Sequence, residues 1–90
     1  MSQITIRLVD TPAGMAQVEQ LQMAVWPGAD LEVVPVHVLL TVAHNGGLVA
    51  GAFDGDQCVG FVWGFPGFDQ RTTPPRLKHC SHQLGIHPDY

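Results

Sequence analysis

The sequence predicts an α+β fold, with a mixed or antiparallel sheet and helices packed on it, in the order β-α-α-β-β-β. Three observations predict this fold class. Apolar and polar side chains alternate along residues 3–9, which is the period of a strand. Apolar side chains recur at helical spacing along residues 12–25. Asp54 and Gly55 separate two apolar runs, as in a hairpin. We predict a single small domain over residues 1–90.

The first strand and the first helix have the clearest signals. Residues 3–9 form the strand, whose side chains Ile4, Ile6 and Leu8 face one way. Thr11 can cap free amides at the start of the helix, and Pro12 suits the first helical position. The helix runs to about residue 25. Its apolar stripe consists of Met15, Val18, Leu21 and Val25. The polar residues predicted to point mostly outward are Gln17, Glu19, Gln20 and Gln22.

A break and an ambiguous element follow the first helix. Residues 26–30, with a Pro-Gly pair, predict a turn. Trp26 in that turn either packs across the helix end or lines a substrate groove. Residues 35–45 are rich in β-branched side chains, which favour a strand. Apolar residues at helical spacing, Pro35 in the first turn and Asn45-Gly46-Gly47 at the end favour a helix, which is our prediction.

Three strands complete the predicted sheet. Residues 48–53 and residues 58–65 flank a tight turn. Residues 67–76 are polar and rich in proline, and we predict an exposed loop there. Residues 77–87 form the last strand. Strand alternation over these residues predicts one face made of Lys78, Cys80, His82, Leu84 and Ile86.

Charge and composition argue against several classes of function. Four basic residues against eight acidic ones give a net charge of −4, which disfavours a nucleic-acid partner. No apolar run approaches the roughly 20 residues of a membrane span. The N-terminus lacks the basic start and apolar core of a signal peptide, so we expect a cytoplasmic protein. Charged residues make up 13% of the chain, against about 25% usually, which suggests that some apolar surface meets a partner or a missing part of the fold.

The cysteines and histidines raise two further hypotheses. Cys58, Cys80 and His82 supply three side chains of the kind that bind zinc. No closely spaced pair of ligands anchors such a site, so we predict no metal. A second hypothesis is that Cys80 is a nucleophile and His82 its base. The sequence offers no identifiable third group that would orient the base. Two cysteines are too few for a disulfide scaffold.

The end of the chain carries the most informative stretch. Residues 84–90 read Leu-Gly-Ile-His-Pro-Asp-Tyr, an apolar strand that ends in a Pro-Asp turn. This stretch resembles the segment before the acyl-CoA pyrophosphate loop in the GNAT superfamily of N-acetyltransferases. In that family an Arg/Gln-x-x-Gly-x-Gly/Ala loop follows and opens a long helix, whose N-terminus binds phosphate. The resemblance covers the N-terminal half of the family's domain and implies a partial GNAT fold.

The resemblance implies a site and a reaction. In the family the pantetheine arm of acetyl-CoA pairs with this strand like an extra strand, and a bulge points a backbone amide at the acyl group. Carried over to this chain, those cofactor-binding positions are Leu84, Gly85 and Ile86. The reaction transfers an acetyl group from acetyl-CoA to an amine, on a small molecule or a peptide. His79 and His82 are candidates for the base, and no catalytic residue is assigned.

Three further expectations follow from this reading. Gly85 is either part of the cofactor site or a glycine that packing requires. Arg71 or Arg76, in the connection that often borders the acceptor site in the resembled family, either contacts an anionic group or is an ordinary solvated arginine. Because the phosphate loop lies beyond Tyr90, we expect little acetyl-CoA binding and no activity from residues 1–90 alone. The alternative is a non-catalytic half-domain whose exposed last strand pairs with a second copy or with a C-terminal half.

Overall fold

The computed structural model describes residues 3–90 and confirms the α+β class and the order of elements. The elements are β1 (Ile4–Leu8), α1 (Pro12–Val25), a short 3-10 turn (Asp30–Glu32), α2 (Val36–His44), β2 (Leu48–Asp54), β3 (Gln57–Asp69) and β4 (Arg76–Ile86). The four strands form one sheet in the order β1-β2-β3-β4, and every neighbouring pair is antiparallel. No helix in the described part of the chain is long and apolar enough to cross a bilayer.

The two helices begin with different capping groups. The hydroxyl of Thr11 accepts a hydrogen bond from the Gly14 amide at 3.1 Å, as predicted for α1. The residue before α2 is Pro35, whose side chain cannot cap. The cap of α2 comes instead from α1, because a carboxylate oxygen of Glu19 accepts from the Val36 amide at 2.8 Å. Residues 36–44 are therefore a helix in spite of their β-branched side chains.

The polar side of α1 differs from the prediction. Gln22 does not point outward but is only 2% exposed. Its amide nitrogen donates to the Val34 carbonyl at 2.9 Å, and its amide oxygen accepts from the Val34 N–H at 2.7 Å. Gln17 ties the other end of the helix to the hairpin, accepting from the Cys58 amide at 2.8 Å. A glutamine amide can satisfy both groups of a neighbouring backbone, which makes its burial tolerable.

The core lies between the helices and one face of the sheet. Met15, Val18 and Leu39 from the helices are fully buried. They meet a sheet face whose buried side chains are Val49, Phe53, Phe61 and Trp63. The chain has its main apolar core on this side, which we call the covered face.

The opposite face of the sheet is apolar and open. Ile6 and Leu8 on β1 are 70% and 72% exposed, and Leu84 on β4 is 65% exposed. Register places these side chains on one side, because Ile6 pairs with Ala52, Ala52 with Gly60 and Gly60 with Ile86. The prediction that Ile4, Ile6 and Leu8 share a face is confirmed, and that face is the one without helices.

The connection between β3 and β4 is shorter than predicted. The strands continue as a two-stranded arm to Asp69 and from Arg76, so residues 67–69 are strand and not loop. At the tip the Arg71 guanidinium donates to both carboxylate oxygens of Asp69, at 3.0 and 3.1 Å. This pair lowers the pKa of Asp69. The polar loop is confined to residues 70–75.

Candidate functional site

The candidate site is the outer edge of β4. This strand is the last of the sheet, so one side of its backbone pairs with β3 and the other side pairs with no described strand. The ladder with β3 is regular at Leu84, Gly85 and Ile86, which pair with Val62, Phe61 and Gly60. An unpaired edge of this kind presents N–H and C=O groups to any extended chain or ligand that approaches it.

One hydrogen bond fixes which backbone groups point outward. The His87 amide donates to the Val59 carbonyl at 2.7 Å, so the backbone N–H of His87 points toward β3. In an antiparallel ladder, inward and outward residues alternate. Gly85 therefore also points its N–H and C=O toward β3, and Leu84 and Ile86 point theirs to the free edge. The outward groups of the two residues repeat at about 7 Å.

The side chains around this edge have distinct environments. Leu84 and Ile86 lie on the open face, 65% and 50% exposed. Gly85 lies on the covered face and is buried. A Cβ at Gly85 would come within 3.0 Å of Val25 at the end of α1 and 3.0 Å of the Phe61 ring. Gly85 thus has a packing role, because its missing side chain lets α1 approach the strand.

A β-bulge interrupts β4 just before this segment. Gln83 pairs with Trp63 and Ser81 pairs with Gly64, so His82 is an extra residue on β4. The bulge makes the predicted common face of Cys80, His82 and Leu84 wrong, because the alternation changes phase at His82. The His82 ring lies 4.8 Å from the Trp63 ring, between centroids, on the covered face. Leu84, two residues later, lies on the open face.

A small cavity of about 140 Å³ lies on the covered side beside this bulge. It is lined by Gln22, Trp26, Ala29, Glu32, Val33 and Gln83. The Gln83 side chain is oriented by the Trp63 indole N–H, which donates to its oxygen at 2.7 Å. Trp26 meets the Phe61 ring edge-on at 5.9 Å, so it both packs across the helix end and lines the cavity. Sequence reasoning missed Glu32 and Gln83, which nothing in their local pattern distinguishes from surface residues.

The turn after β4 is held to the neighbouring hairpin. The Asp89 amide donates to Nδ1 of His87 at 3.1 Å, which closes the turn. The hydroxyl of Tyr90 donates to a carboxylate oxygen of Asp54, at the end of β2, at 2.5 Å. This hydrogen bond to a carboxylate raises the pKa of Tyr90. The last residues of the chain therefore have a defined position relative to the sheet.

The structure does not bring together the three side chains of the hypothetical zinc site. Cys58 lies near the start of β3, where it pairs with Phe53 of β2. Cys80 on β4 pairs with Phe65, which lies seven residues after Cys58 on β3. At about 3.3 Å per residue, Cys58 and Phe65 are roughly 23 Å apart along the strand. Both thiols are free, and burial raises the pKa of Cys58. Among residues 3–90, no three His, Cys, Asp or Glu side chains come together as metal ligands do.

The two candidate bases lie in different places. His79 precedes the bulge, and its ring covers Gly64, where a Cβ would collide with it. The His82 ring packs against the Trp63 ring at an interplanar angle of 58°, and His82 lies closer than His79 to Leu84 along the strand. Arg71 is engaged by Asp69 at the tip of the arm, and Arg76 lies at the base of that loop.

No protein-family model, no curated protein and no solved structure matches the chain. The geometry of β4 and its surroundings is therefore the basis for a functional proposal.

Proposed function

We propose that the chain is the N-terminal part of a GNAT-like N-acetyltransferase domain, which transfers an acetyl group from acetyl-CoA to an amine. The single observation that carries this proposal is the free edge of β4. Leu84 and Ile86 direct their N–H and C=O groups outward at strand spacing. The pantetheine arm of acetyl-CoA contains amide groups that can pair with such an edge as a short extra strand.

The proposed chemistry asks little of side chains. The nitrogen of the amine forms a bond to the thioester carbonyl carbon, and negative charge develops on the carbonyl oxygen. In this proposal the outward amide of Leu84 donates to that oxygen, because a preorganised amide stabilises the developing charge. The carbon–sulfur bond then breaks, the thiolate of CoA leaves and takes up a proton, and a base removes a proton from the amine.

His82 is the better placed of the two candidate bases. It lies in the bulge, two residues before Leu84, and the residue is exposed to solvent. His79 lies on the other side of the bulge and three residues further from Leu84. We therefore assign the base to His82 within this proposal.

We propose that the groups that bind the cofactor's phosphates lie outside residues 3–90. The turn after β4 contains Asp89, and Tyr90 in the same turn contacts the carboxylate of Asp54, so the charged groups at this end of the sheet are acidic and repel phosphate. A loop of the form Arg/Gln-x-x-Gly-x-Gly/Ala followed by a helix, directly after Tyr90 in the complete reading frame, would provide the missing grip. We expect acetyl-CoA to bind residues 1–90 weakly and the chain alone to be inactive.

A fragment of the cofactor without phosphates tests the edge directly. We would titrate S-acetylpantetheine into the uniformly ¹⁵N-labelled chain and follow the amide resonances. The expected result is a response at Leu84 and Ile86 at millimolar concentration, and a smaller one at Gly85 and His87. Leu84→Pro removes one outward N–H without removing a bond to β3, and it should abolish the response. Leu84→Val keeps that N–H and should retain it.

Two outcomes would contradict the acetyl-transfer proposal. One is the absence of any response at Leu84 and Ile86 at the highest soluble concentration of the ligand. The other is an equal response in Leu84→Pro, which would show that the outward amide is not used. Tight binding of acetyl-CoA by residues 1–90 would contradict a separate claim, namely that the phosphate-binding groups lie outside these residues.

The second candidate function is a non-catalytic half-domain that binds a partner through the last strand. The same free edge favours it, because Leu84 and Ile86 are apolar and exposed beside unpaired backbone groups. Pairing with a protein strand would change the resonances of the same amides as pantetheine does. In a self-association the change would appear as the concentration of the chain is raised, without added ligand. We also propose a cytoplasmic location, since both cysteines are free thiols.

A further inference from the structure

The cavity beside the β4 bulge is lined by groups that the fold holds in place. Gln22 is buried, and its side-chain amide is bonded to the backbone of the segment before α2. The oxygen of Gln83 accepts from the Trp63 indole N–H, which orients the Gln83 side chain. The Glu32 amide donates to the Ala29 carbonyl at 3.0 Å, so this part of the lining is also ordered. A site that is formed before its ligand arrives spends little of the binding free energy on ordering itself.

Two of the lining side chains suit a positively charged group. Glu32 is the charged member of the lining set, and within residues 3–90 no basic side chain forms an ion pair with it. Trp26 lines the same cavity and is 38% exposed, so part of its indole is accessible in addition to its contact with Phe61. A carboxylate attracts a cation by its charge, and an aromatic ring attracts one through the negative face of its π-system.

Charge and size narrow the class of ligand. Asp30 lies on the same 3-10 turn as Glu32, and the whole chain carries a net charge of −4, so an anion is repelled. The Lys or Arg of β4 nearest to Gln83 is Lys78, five residues earlier and roughly 16 Å away along the strand. The cavity volume of about 140 Å³ equals the share of about four or five water molecules in the liquid. That space accommodates a small cationic head and excludes a bulky one.

We propose that this cavity binds a small organic cation, an alkylammonium or methylated ammonium group. The Glu32 carboxylate opposes the charge of the ligand, and the Trp26 ring contacts its methyl or methylene groups. Gln22 and Gln83 are polar but uncharged, and they complete the lining without a competing positive charge. Because such a ligand offers few atoms for contact and Glu32 is exposed to solvent, we expect a dissociation constant in the millimolar range, about 1–30 mM.

The test is a titration of tetramethylammonium chloride into the uniformly ¹⁵N-labelled chain, with sodium chloride added to keep the ionic strength constant. The chain has two tryptophans, so the Trp26 indole resonance is identified by its loss in Trp26→Leu. We expect a saturable shift of that resonance and of the Gln83 side-chain amide. tert-Butanol has a similar shape without the charge, and it should bind at least about fivefold more weakly.

Two variants separate the cavity from the general charge of the chain. Glu32→Gln keeps the size of the side chain and removes its charge, and it should weaken tetramethylammonium binding at least about fivefold. Asp30→Asn is the matched control, because it removes the same charge from the same turn but Asp30 does not line the cavity. It should change the dissociation constant by less than about twofold. Both residues are exposed, so both variants should fold, which circular dichroism would verify.

This proposal does not rest on acetyl transfer, and the two proposals have separate readouts. Tetramethylammonium is followed at Trp26 and Gln83, whereas S-acetylpantetheine is followed at Leu84 and Ile86. Glu32→Gln should leave the response to S-acetylpantetheine unchanged. Absence of that response in the wild type would count against acetyl transfer and not against the cation site.

Three results of the ammonium titration would overturn the cation site. The first is the absence of a saturable shift in the wild type up to about 200 mM tetramethylammonium. The second is equal binding of tert-butanol, which would show that the charge of the ligand is not recognised. The third is an equal effect of Glu32→Gln and Asp30→Asn, which would show that the Glu32 carboxylate has no special place in the site.

Discussion

Replacement of Gln22 by alanine should destabilise the fold more than replacement of an exposed polar residue would. The substitution removes both hydrogen bonds to the Val34 backbone, at 2.7 and 2.9 Å, which are together worth about 1–3 kcal/mol. It also removes one buried methylene, worth about 0.8 kcal/mol, against a helix-propensity gain of a few tenths. The net loss in the free energy of unfolding is about 1.5–3.5 kcal/mol, or roughly 6–28 °C in Tm for a domain of this size.

The assay is urea denaturation followed by circular dichroism, with Gln20→Ala as the matched control. Gln20 lies on the exposed side of the same helix and makes no contact of this kind, so its replacement should change the free energy of unfolding by less than about 0.5 kcal/mol. Equal small losses for the two variants would refute the reasoning that Gln22 holds the segment before α2. An equally large loss for both would show that the effect belongs to the helix and not to this contact.

Three further predictions concern individual groups. Tyr90 is the single tyrosine, and ultraviolet titration should give it a pKa above 10.0 that Asp54→Asn returns toward that value. The Tyr90–Asp54 hydrogen bond needs the protonated phenol, so its contribution is present below about pH 10 and is lost as the pH rises through the raised pKa. Thiol reagents should modify Cys80 before Cys58, which is 6% exposed and has a raised pKa, and equal rates would contradict its burial. Gly85→Val should cost about 1–3 kcal/mol by overpacking against Val25, and a neutral result would leave Gly85 without a packing role.

Local signals in the sequence were sufficient for the order and type of the elements. Thr11 and Pro12 mark the start of α1, and Asp54-Gly55 marks the hairpin, because caps and tight turns depend on a few neighbouring residues. The helix over Val36–His44 was predicted from its spacing against its β-branched composition. Its actual cap, Glu19, was not predictable, since it comes from another helix through a contact of the folded chain.

Features that depend on pairing between strands were not accessible from the sequence. The extra residue at His82 changes which side chains share a face, and no local pattern marks the bulge. Strand alternation predicts that Ile4, Ile6 and Leu8 share a face. It does not predict which face the helices cover, because that depends on the side of the sheet on which the chain runs between β1 and β2. The outward direction of Leu84 and Ile86 likewise follows from one hydrogen bond, from His87 to Val59.

Hydrogen exchange at the end of β4 tests the central claim most directly. In the free chain the amides of Leu84 and Ile86 should exchange quickly, while those of Gly85 and His87, which donate to β3, should be protected. Added S-acetylpantetheine should slow exchange at Leu84 and Ile86 alone. Protection of these two amides before any ligand is present, or protection by the ligand at other strands only, would contradict the account of β4 as a cofactor-binding edge.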